Sequence, residues 1–400
     1  MTTTLETFDT VVVGGGPAGS TAATDLAKSG RSVLLLDRAG RIKPCGGAIP
    51  PRLIRDFAIP DQLLVARITG ARMISPSDRQ VEMPINGGFV GMVDREIFDE
   101  WLRGRAAEAG AERREGVFED LTRDADGNAV VHYRVAEAKD GSRVAVRARA
   151  VIGADGANSA VARVAMPKAK HPPFVFAYHE IVQSPPPDTT PAFDAARCDI
   201  YYRGSLSPDF YAWVFPHGAT TSVGTGTAHK GFSLRAAVAA VRTAAGLATA
   251  ATVRCEGAPI PLRPRRKWDN ERDVVLAGDA AGAVAPASGE GIYYAMTSGR
   301  YAAEAVGAFL ATGDSRLLAS ARKRFMQAHG RVFWVLGLLQ HFWYANDRRR
   351  ERFVSICRDR DVQHLTWEAY MNKQLVRAKP MAHVRIFFKD LAHLLRLVTP

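Results

Sequence analysis

Asp9-Thr10-Val11-Val12-Val13-Gly14-Gly15-Gly16-Pro17-Ala18-Gly19 carries a β-branched run straight into a G-x-G-x-x-G turn. A helix-permissive stretch from Ala18 to Ser29 follows, Gly30 interrupts it, and Ser32-Val33-Leu34-Leu35-Leu36 ends on Asp37. This is a strand–turn–helix–strand unit of about 30 residues closed by an acid, the pattern of a dinucleotide site. Gly14 permits the tight turn, Gly16 lets backbone N–H groups approach a pyrophosphate, and Gly19 lets the helix lie close on the strand. The helix N-terminus around Ala18 offers unpaired donors and the positive end of a dipole to the phosphates. Asp37, with Arg38 beside it, stands where an adenosine ribose would be held.

Two further strands run into glycine turns. Ala150-Val151-Ile152-Gly153-Ala154-Asp155-Gly156 is one, and Asp273-Val274-Val275-Leu276-Ala277-Gly278-Asp279 is the other. In a doubly wound sheet ligands collect beyond the carboxyl ends of the strands, so the three turns can converge on one long ligand. Gly278-Asp279, followed by Gly282, Pro286, Gly289, Gly291 and Ile292, suits the ribityl and pyrophosphate region of a flavin. Asp155-Gly156 suits a turn supporting both ends, although on its own it also reads as an ordinary turn. Between them, residues 172–260 have β texture, with Phe174–Tyr178, Cys198–Tyr202, Phe210–Pro216 and Ser222–Gly226 the strongest runs. The expected fold is α/β: a Rossmann-type FAD-binding domain, an inserted antiparallel β-sheet substrate domain and a helical C-terminal region.

Composition narrows the classes. With 47% hydrophobic and 24% charged residues the chain is globular rather than disordered. The formal net charge of +12 invites an anionic membrane, a diphosphate substrate or an acidic electron donor. No RNA-binding motif or aromatic–glycine pattern points to nucleic acid. Cys45, Cys198, Cys255 and Cys357 contain no C-x-x-C pair, so neither a zinc site nor a disulfide framework is expected, and no metal is assigned. Residues 1–8 lack a secretory pattern, no apolar run reaches the roughly 20 residues needed to span a bilayer, and reduced thiols suit the cytoplasmic side.

Lys43-Pro44-Cys45-Gly46-Gly47-Ala48 and Tyr211-Ala212-Trp213-Val214-Phe215-Pro216 narrow the reading further. With the turns at Gly153–Ser159 and Gly278–Gly282, the chain resembles FAD-dependent oxidoreductases of the p-hydroxybenzoate hydroxylase type over residues 8–310. The PCGG and YxWxFP segments resemble those of geranylgeranyl reductases. The run from Gly88 to Arg103 and the tail from Ala378 to Asp390 resemble the (bacterio)chlorophyll branch. The resemblance implies an FAD enzyme that saturates three of the four double bonds of a geranylgeranyl tail to give phytyl. The substrate would be geranylgeranyl-(bacterio)chlorophyll or geranylgeranyl diphosphate, and the reductant NADPH or another low-potential donor. It also implies that Arg95 reaches the FAD pyrophosphate or adenosine edge. The alternative within the same fold is a flavin monooxygenase acting on an aromatic or quinone; a third reading is a pigment or prenyl-lipid carrier with a vestigial flavin site.

An isolated trisubstituted alkene is not electrophilic, so its chain must be held flat against a hydride source, shielded from water and supplied with a proton. Tyr211, Trp213 and Phe215 alternate on a strand and share a face, which suits an apolar wall closed by Pro216. Taken alone, the same row reads as plain sheet core. Cys45, in the glycine-rich loop with Gly46, Gly47 and Ala48, is a candidate for contact with flavin or alkene, or simply a small buried residue. His179, His217 and His229 read as structural. In the helix opening at Asp94, Ile97, Trp101 and Leu102 are expected to share a face.

Arg331–Tyr344 is apolar and aromatic but too interrupted to span a bilayer. Val384, Phe387, Phe388, Leu391, Leu395 and Val398, flanked by Arg385, Lys389 and Arg396, suit a basic amphipathic helix on an anionic interface. Peripheral attachment on the cytoplasmic side of a photosynthetic or inner membrane follows as an expectation, with a pigment-synthesis partner or acidic electron donor as further company. The expected division is FAD-binding segments at 1–80, 99–170 and 266–312, substrate-domain segments at 81–98 and 171–265, and a helical region at 313–400.

Overall fold

The computed structural model describes residues 5–38, 42–135 and 142–373. In chain order the first elements are β1 Thr7–Val13, α1 Pro17–Lys28, β2 Val33–Asp37, β3 Ala48–Ile49, α2 Pro51–Asp56, β4 Leu64–Ile68, β5 Gly70–Ile74, β6 Gln80–Pro84 and β7 Val90–Val93. Then come α3 Arg95–Glu108, β8 Glu112–Arg123, β9 Ala129–Val135, β10 Arg143–Gly153, α4 Ala160–Ala165, β11 Phe174–Gln183, β12 Arg197–Tyr201, β13 Ala212–His217 and β14 Thr220–Thr227. The last are α5 Leu234–Ala244, β15 Thr252–Pro261, β16 Val274–Leu276, α6 Ile292–Thr312, α7 Ser320–Trp343, α8 Asp347–Ile356 and α9 Arg360–Asn372.

These elements form two compact units. The first comprises residues 1–43, 95–173 and 260–330. Its centre is a parallel ladder in which β1 lies between β2 and β10, β8 extends it beyond β2, and β16 extends it beyond β10. The distal halves of β8 and β10 bend away to pair antiparallel with β9. Val11, Val12, Leu34, Leu35, Val151, Ile152, Val274 and Val275 are all buried, consecutive residues alike. That is the signature of a parallel sheet covered on both faces. The helix α3 buries Phe98, Leu102 and Ala106 and leaves Ile97 57% exposed. The expected Ile97 face is therefore corrected: the buried stripe lies one position further along, and Trp101 instead lies beneath the Arg105 guanidinium, 4.7 Å from its ring centre.

The second unit comprises residues 44–94 and 174–259, with the chain from Arg331 onward. Its seven-stranded sheet has the order β15-β11-β14-β13-β12-β5-β6. All four expected β runs are strands, but the sheet is mixed, because β12 pairs parallel with β5. That pairing also moves the first division of the chain. Residues 44–80, expected from sequence in the FAD-binding part, supply β3, β4, β5 and the first residue of β6 and fall in the second unit. One face of the sheet is closed by α5, whose Val238 and Val241 pack on Val182, Val214 and Val223. Residues of the expected amphipathic helix at 384–398 lie outside the described residues. Among the described helices none is long and apolar enough to cross a membrane.

Candidate active site

In the first unit the three glycine turns come together. Gly14 has φ +105°, and a Cβ there would lie 2.6 Å from the Ala154 carbonyl carbon and 2.9 Å from the Asp155 nitrogen. A Cβ on Gly19 would meet the Gly14 carbonyl, and one on Gly278 would lie 2.8 Å from Ala18 Cβ. The sequence put glycine where the turns press on one another. By contrast, a Cβ on Gly16 or Gly156 would meet nothing within 4 Å, so space opens above those backbones. Gly16 caps α1 without any side-chain acceptor, leaving the first-turn N–H groups available to a ligand. An open backbone cradle at an uncapped helix end is what a pyrophosphate needs, and these residues fit FAD.

Acids and cations around the turns are placed more specifically than the sequence suggested. Asp37 accepts a hydrogen bond from Arg103 Nη1 at 3.1 Å, and the same nitrogen reaches the Gly15 carbonyl at 3.4 Å. Arg38 is exposed. Asp279 accepts from Lys43 Nζ at 2.8 Å, and the Gly278 N–H donates to Ser298 Oγ at 2.9 Å. Gly289 has φ +65°, and Gly291 caps α6 immediately before Ile292. Arg95 is buried and makes a two-pronged pair with Asp99, at 2.9 and 2.7 Å. The Asp155 carboxylate is occupied in capping α4: Ser159 Oγ donates at 2.5 Å, Ala160 N–H at 2.6 Å and Val161 N–H at 3.1 Å. Burial pushes the Asp155 carboxyl up despite those donors. Its visible work is to shape the turn that presents Gly156.

Sequence reasoning missed Arg103, Lys43, Ser298 and Gly299. A Cβ on Gly299 would lie 2.9 Å from the Ala18 carbonyl carbon, so this glycine lets α6 close on α1. A lone glycine inside a helical pattern was the available signal for it.

The second unit holds the aromatic row. Trp213 and Phe215 stack with ring centres 6.0 Å apart, and Tyr211 meets Trp213 edge-on at 5.9 Å. Pro216 closes the row at a point where β13 has already parted from β12, so its missing N–H leaves no gap in that ladder. Tyr211 is buried, which pushes its phenol up, with Tyr344 and the thiols of Cys45 and Cys198 adding to the effect. The Cys45 loop packs on the row: a Cβ on Gly46 would lie 3.0 Å from the Phe215 ring. The Gly47 N–H donates to Cys45 Sγ at 3.4 Å, and Ala48 starts β3.

His217 is half-buried with Nδ1 2.9 Å from the Phe215 carbonyl, and a Cβ on Gly47 would press on its Nε2. Burial holds its imidazole below the ordinary value, only partly offset by the Phe215 carbonyl and Asp94. His179 bridges Ser222 Oγ at 2.9 Å and Glu256 Oε2 at 3.0 Å, and Trp213 Nε1 donates to the same Ser222 oxygen at 3.1 Å. Burial alone would raise Glu256, but His179 and Arg254 outweigh it and hold the carboxyl below its usual range. The two histidines thus fix the backs of the aromatic row and of the Cys45 loop. Among the described residues no cluster of His, Cys, Asp and Glu has the makings of a metal site.

An FAD-binding domain family matches residues 68–332, and an NAD(P)-binding Rossmann-like domain family matches residues 12–60. The chain is 58% identical to geranylgeranyl diphosphate reductase of Rhodobacter capsulatus, over 98% of this chain and 99% of that one. The chain belongs to the geranylgeranyl reductase family. It is also 36% identical to geranylgeranyl diphosphate reductase of Synechocystis, over 96% of this chain and 97% of that one. Among solved structures it resembles a geranylgeranyl bacteriochlorophyll reductase-like protein from Thermoplasma acidophilum, with TM-score 0.80 and 24% identity over 95% of this chain and all of that one, which confirms the fold. The cofactor of this family member is FAD, and the geranylgeranyl reductase resemblance stands.

Proposed function

We propose that this chain is a flavin-dependent reductase that saturates the geranylgeranyl chain to phytyl in (bacterio)chlorophyll synthesis. What supports this reading most is the near full-length identity to the Rhodobacter reductase. The aromatic row beside the P-C-G-G loop, with Tyr211 and Trp213 buried and Phe215 half-buried, suits the same chemistry. When bound, FAD supplies the hydride. Gly14, Gly16, Ala18 and Gly19 offer it their turn and helix end, Asp37 a ribose acceptor, and Gly278 and Asp279 the second phosphate-side contact. Arg95, Asp155, Gly156, Gly289, Gly291 and Ile292 shape or line the remainder.

Tyr211, Trp213, Phe215 and Pro216 hold the prenyl chain flat and exclude water by apolar contact. Cys45 approaches the reacting alkene from its loop. The substrate is the pigment-esterified chain or the free diphosphate, and a nicotinamide, NADPH, is the reductant. The protein works at the surface of the membrane that dissolves the pigment, on its cytoplasmic side, and its basic charge favours acidic partners there. A competition assay offering geranylgeranyl diphosphate and geranylgeranyl-bacteriochlorophyll together, with NADPH or NADH, tests the specifics. Preferential loss of the pigment substrate with NADPH is expected; reduction of neither with any donor would contradict the reading.

A further inference from the structure

We propose that the face of α7 carrying Trp334 and Leu338 docks this protein on an anionic lipid surface. The inference rests on the membrane reading above and assigns it a place. In the part of α7 from Arg331 to Trp343, the residues Arg331, Trp334, Leu338 and His341 follow at steps of three, four and three. That spacing makes one helical stripe. All four are exposed, with Trp334 at 70% and Leu338 at 54%. On the other side Phe333 and Trp343 are buried and anchor the helix. Single exposed apolar residues are ordinary, but a tryptophan and a leucine one turn apart form a small continuous apolar ridge.

The charge around the ridge selects the occupant. From Arg331 to Trp343 α7 carries the exposed Arg331 and no Asp or Glu. At its C-terminal end Arg349 of α8 lies over the Phe342 ring at 4.4 Å and donates to the Phe342 carbonyl at 3.3 Å. The next acid along the chain, Asp347, is occupied by Arg350 at 2.6 Å and by the Gly204 N–H at 2.7 Å. Tryptophan at the headgroup level, leucine below it and cations toward lipid phosphates is the arrangement of an interfacial helix. A second copy of the chain fits less well, since two side chains offer only a fraction of the ~800 Å² per partner that a stable interface buries. A negatively charged bilayer needs no such area, because each cation near its surface adds to the attraction.

The experiment is co-sedimentation of the FAD-loaded full chain with phosphatidylcholine vesicles, with and without about one-third phosphatidylglycerol. The same chain carrying Trp334→Ser and Leu338→Ser is run beside it. The wild type should pellet with the anionic vesicles. The double variant should partition about tenfold less, while keeping its FAD and its activity on detergent-dispersed substrate. Trp334→Phe should retain binding, and Arg331→Gln should weaken it on anionic vesicles alone. A double variant that pellets like wild type overturns the assignment of this face and leaves the membrane reading standing. A wild type that stays in the supernatant with both vesicles overturns both. Undiminished pelleting with a change of oligomeric state would give the face to a second copy instead.

Discussion

Trp213 lies over Gly224, its partner across the β13–β14 ladder, so closely that a Cβ on Gly224 would sit 2.5 Å from Trp213 Cε2 and 2.6 Å from His179 Cβ. The glycine is what lets the indole lie flat and keep its bond to Ser222. Gly224→Ala should push Trp213 out of the row, with destabilisation of about 1–3 kcal/mol from overpacking. Its KM for the prenyl substrate should rise while FAD content stays normal. Thermal unfolding and flavin absorbance of the purified variant check this, and a variant with unchanged KM would remove Trp213 from substrate contact.

Asp37 and Arg103 separate binding from support. The pair is partly exposed, with 30% and 18% of the side chains accessible, so the ion pair itself contributes little. Arg103→Ala should weaken FAD by about two- to fivefold, equivalent to roughly 0.5–1 kcal/mol. Asp37→Ala removes the proposed ribose acceptor, a charged hydrogen bond of about 1.5–3 kcal/mol, and should weaken FAD by about ten- to a hundredfold. Titration of the apoproteins with FAD gives both numbers; equal losses would mean that Asp37 serves only Arg103.

Half-buried His217 makes stability depend on pH. Its folded-state value is held below the ordinary imidazole value of about 6.5, so the unfolded chain binds the proton more readily. The stabilisation is full above about 6.5 and is lost as pH falls through the lower folded value. His217→Gln, which keeps a side-chain donor for the Phe215 carbonyl, should flatten that acid dependence. Urea midpoints measured at intervals from neutral to mildly acid pH read the slope, and parallel profiles for the two proteins would contradict the account.

Cys45→Ala should keep FAD and fold but slow reduction by about a hundredfold if the thiol works at the reacting carbon, the scale of a positioned acid. Cys45→Ser should recover part of it. Unchanged turnover in Cys45→Ala, with all double bonds still reduced, would leave the thiol as loop packing through its bond from Gly47.

The parts that could be read from sequence were those fixed by local backbone chemistry. Gly14 and Gly278 need positive φ, and Val11–Val13 and Leu34–Leu36 need burial on both faces, so the dinucleotide unit declared itself. Long-range choices did not. Nothing local tells Arg103 to fold back 66 residues to Asp37, or tells β5 to join β12 rather than the nucleotide sheet. Helical periodicity also leaves adjacent stripes nearly equivalent, which is why Ile97 was placed inside and Phe98 is the residue buried.

The most direct measurement is anaerobic turnover of geranylgeranylated bacteriochlorophyll by the FAD-loaded protein with NADPH or dithionite, followed by mass spectrometry of the pigment. The account predicts stepwise gains of two, four and six mass units. No gain with any prenyl substrate, together with an oxygen-dependent gain of sixteen on a quinone or aromatic acid, would contradict it and make the protein a monooxygenase.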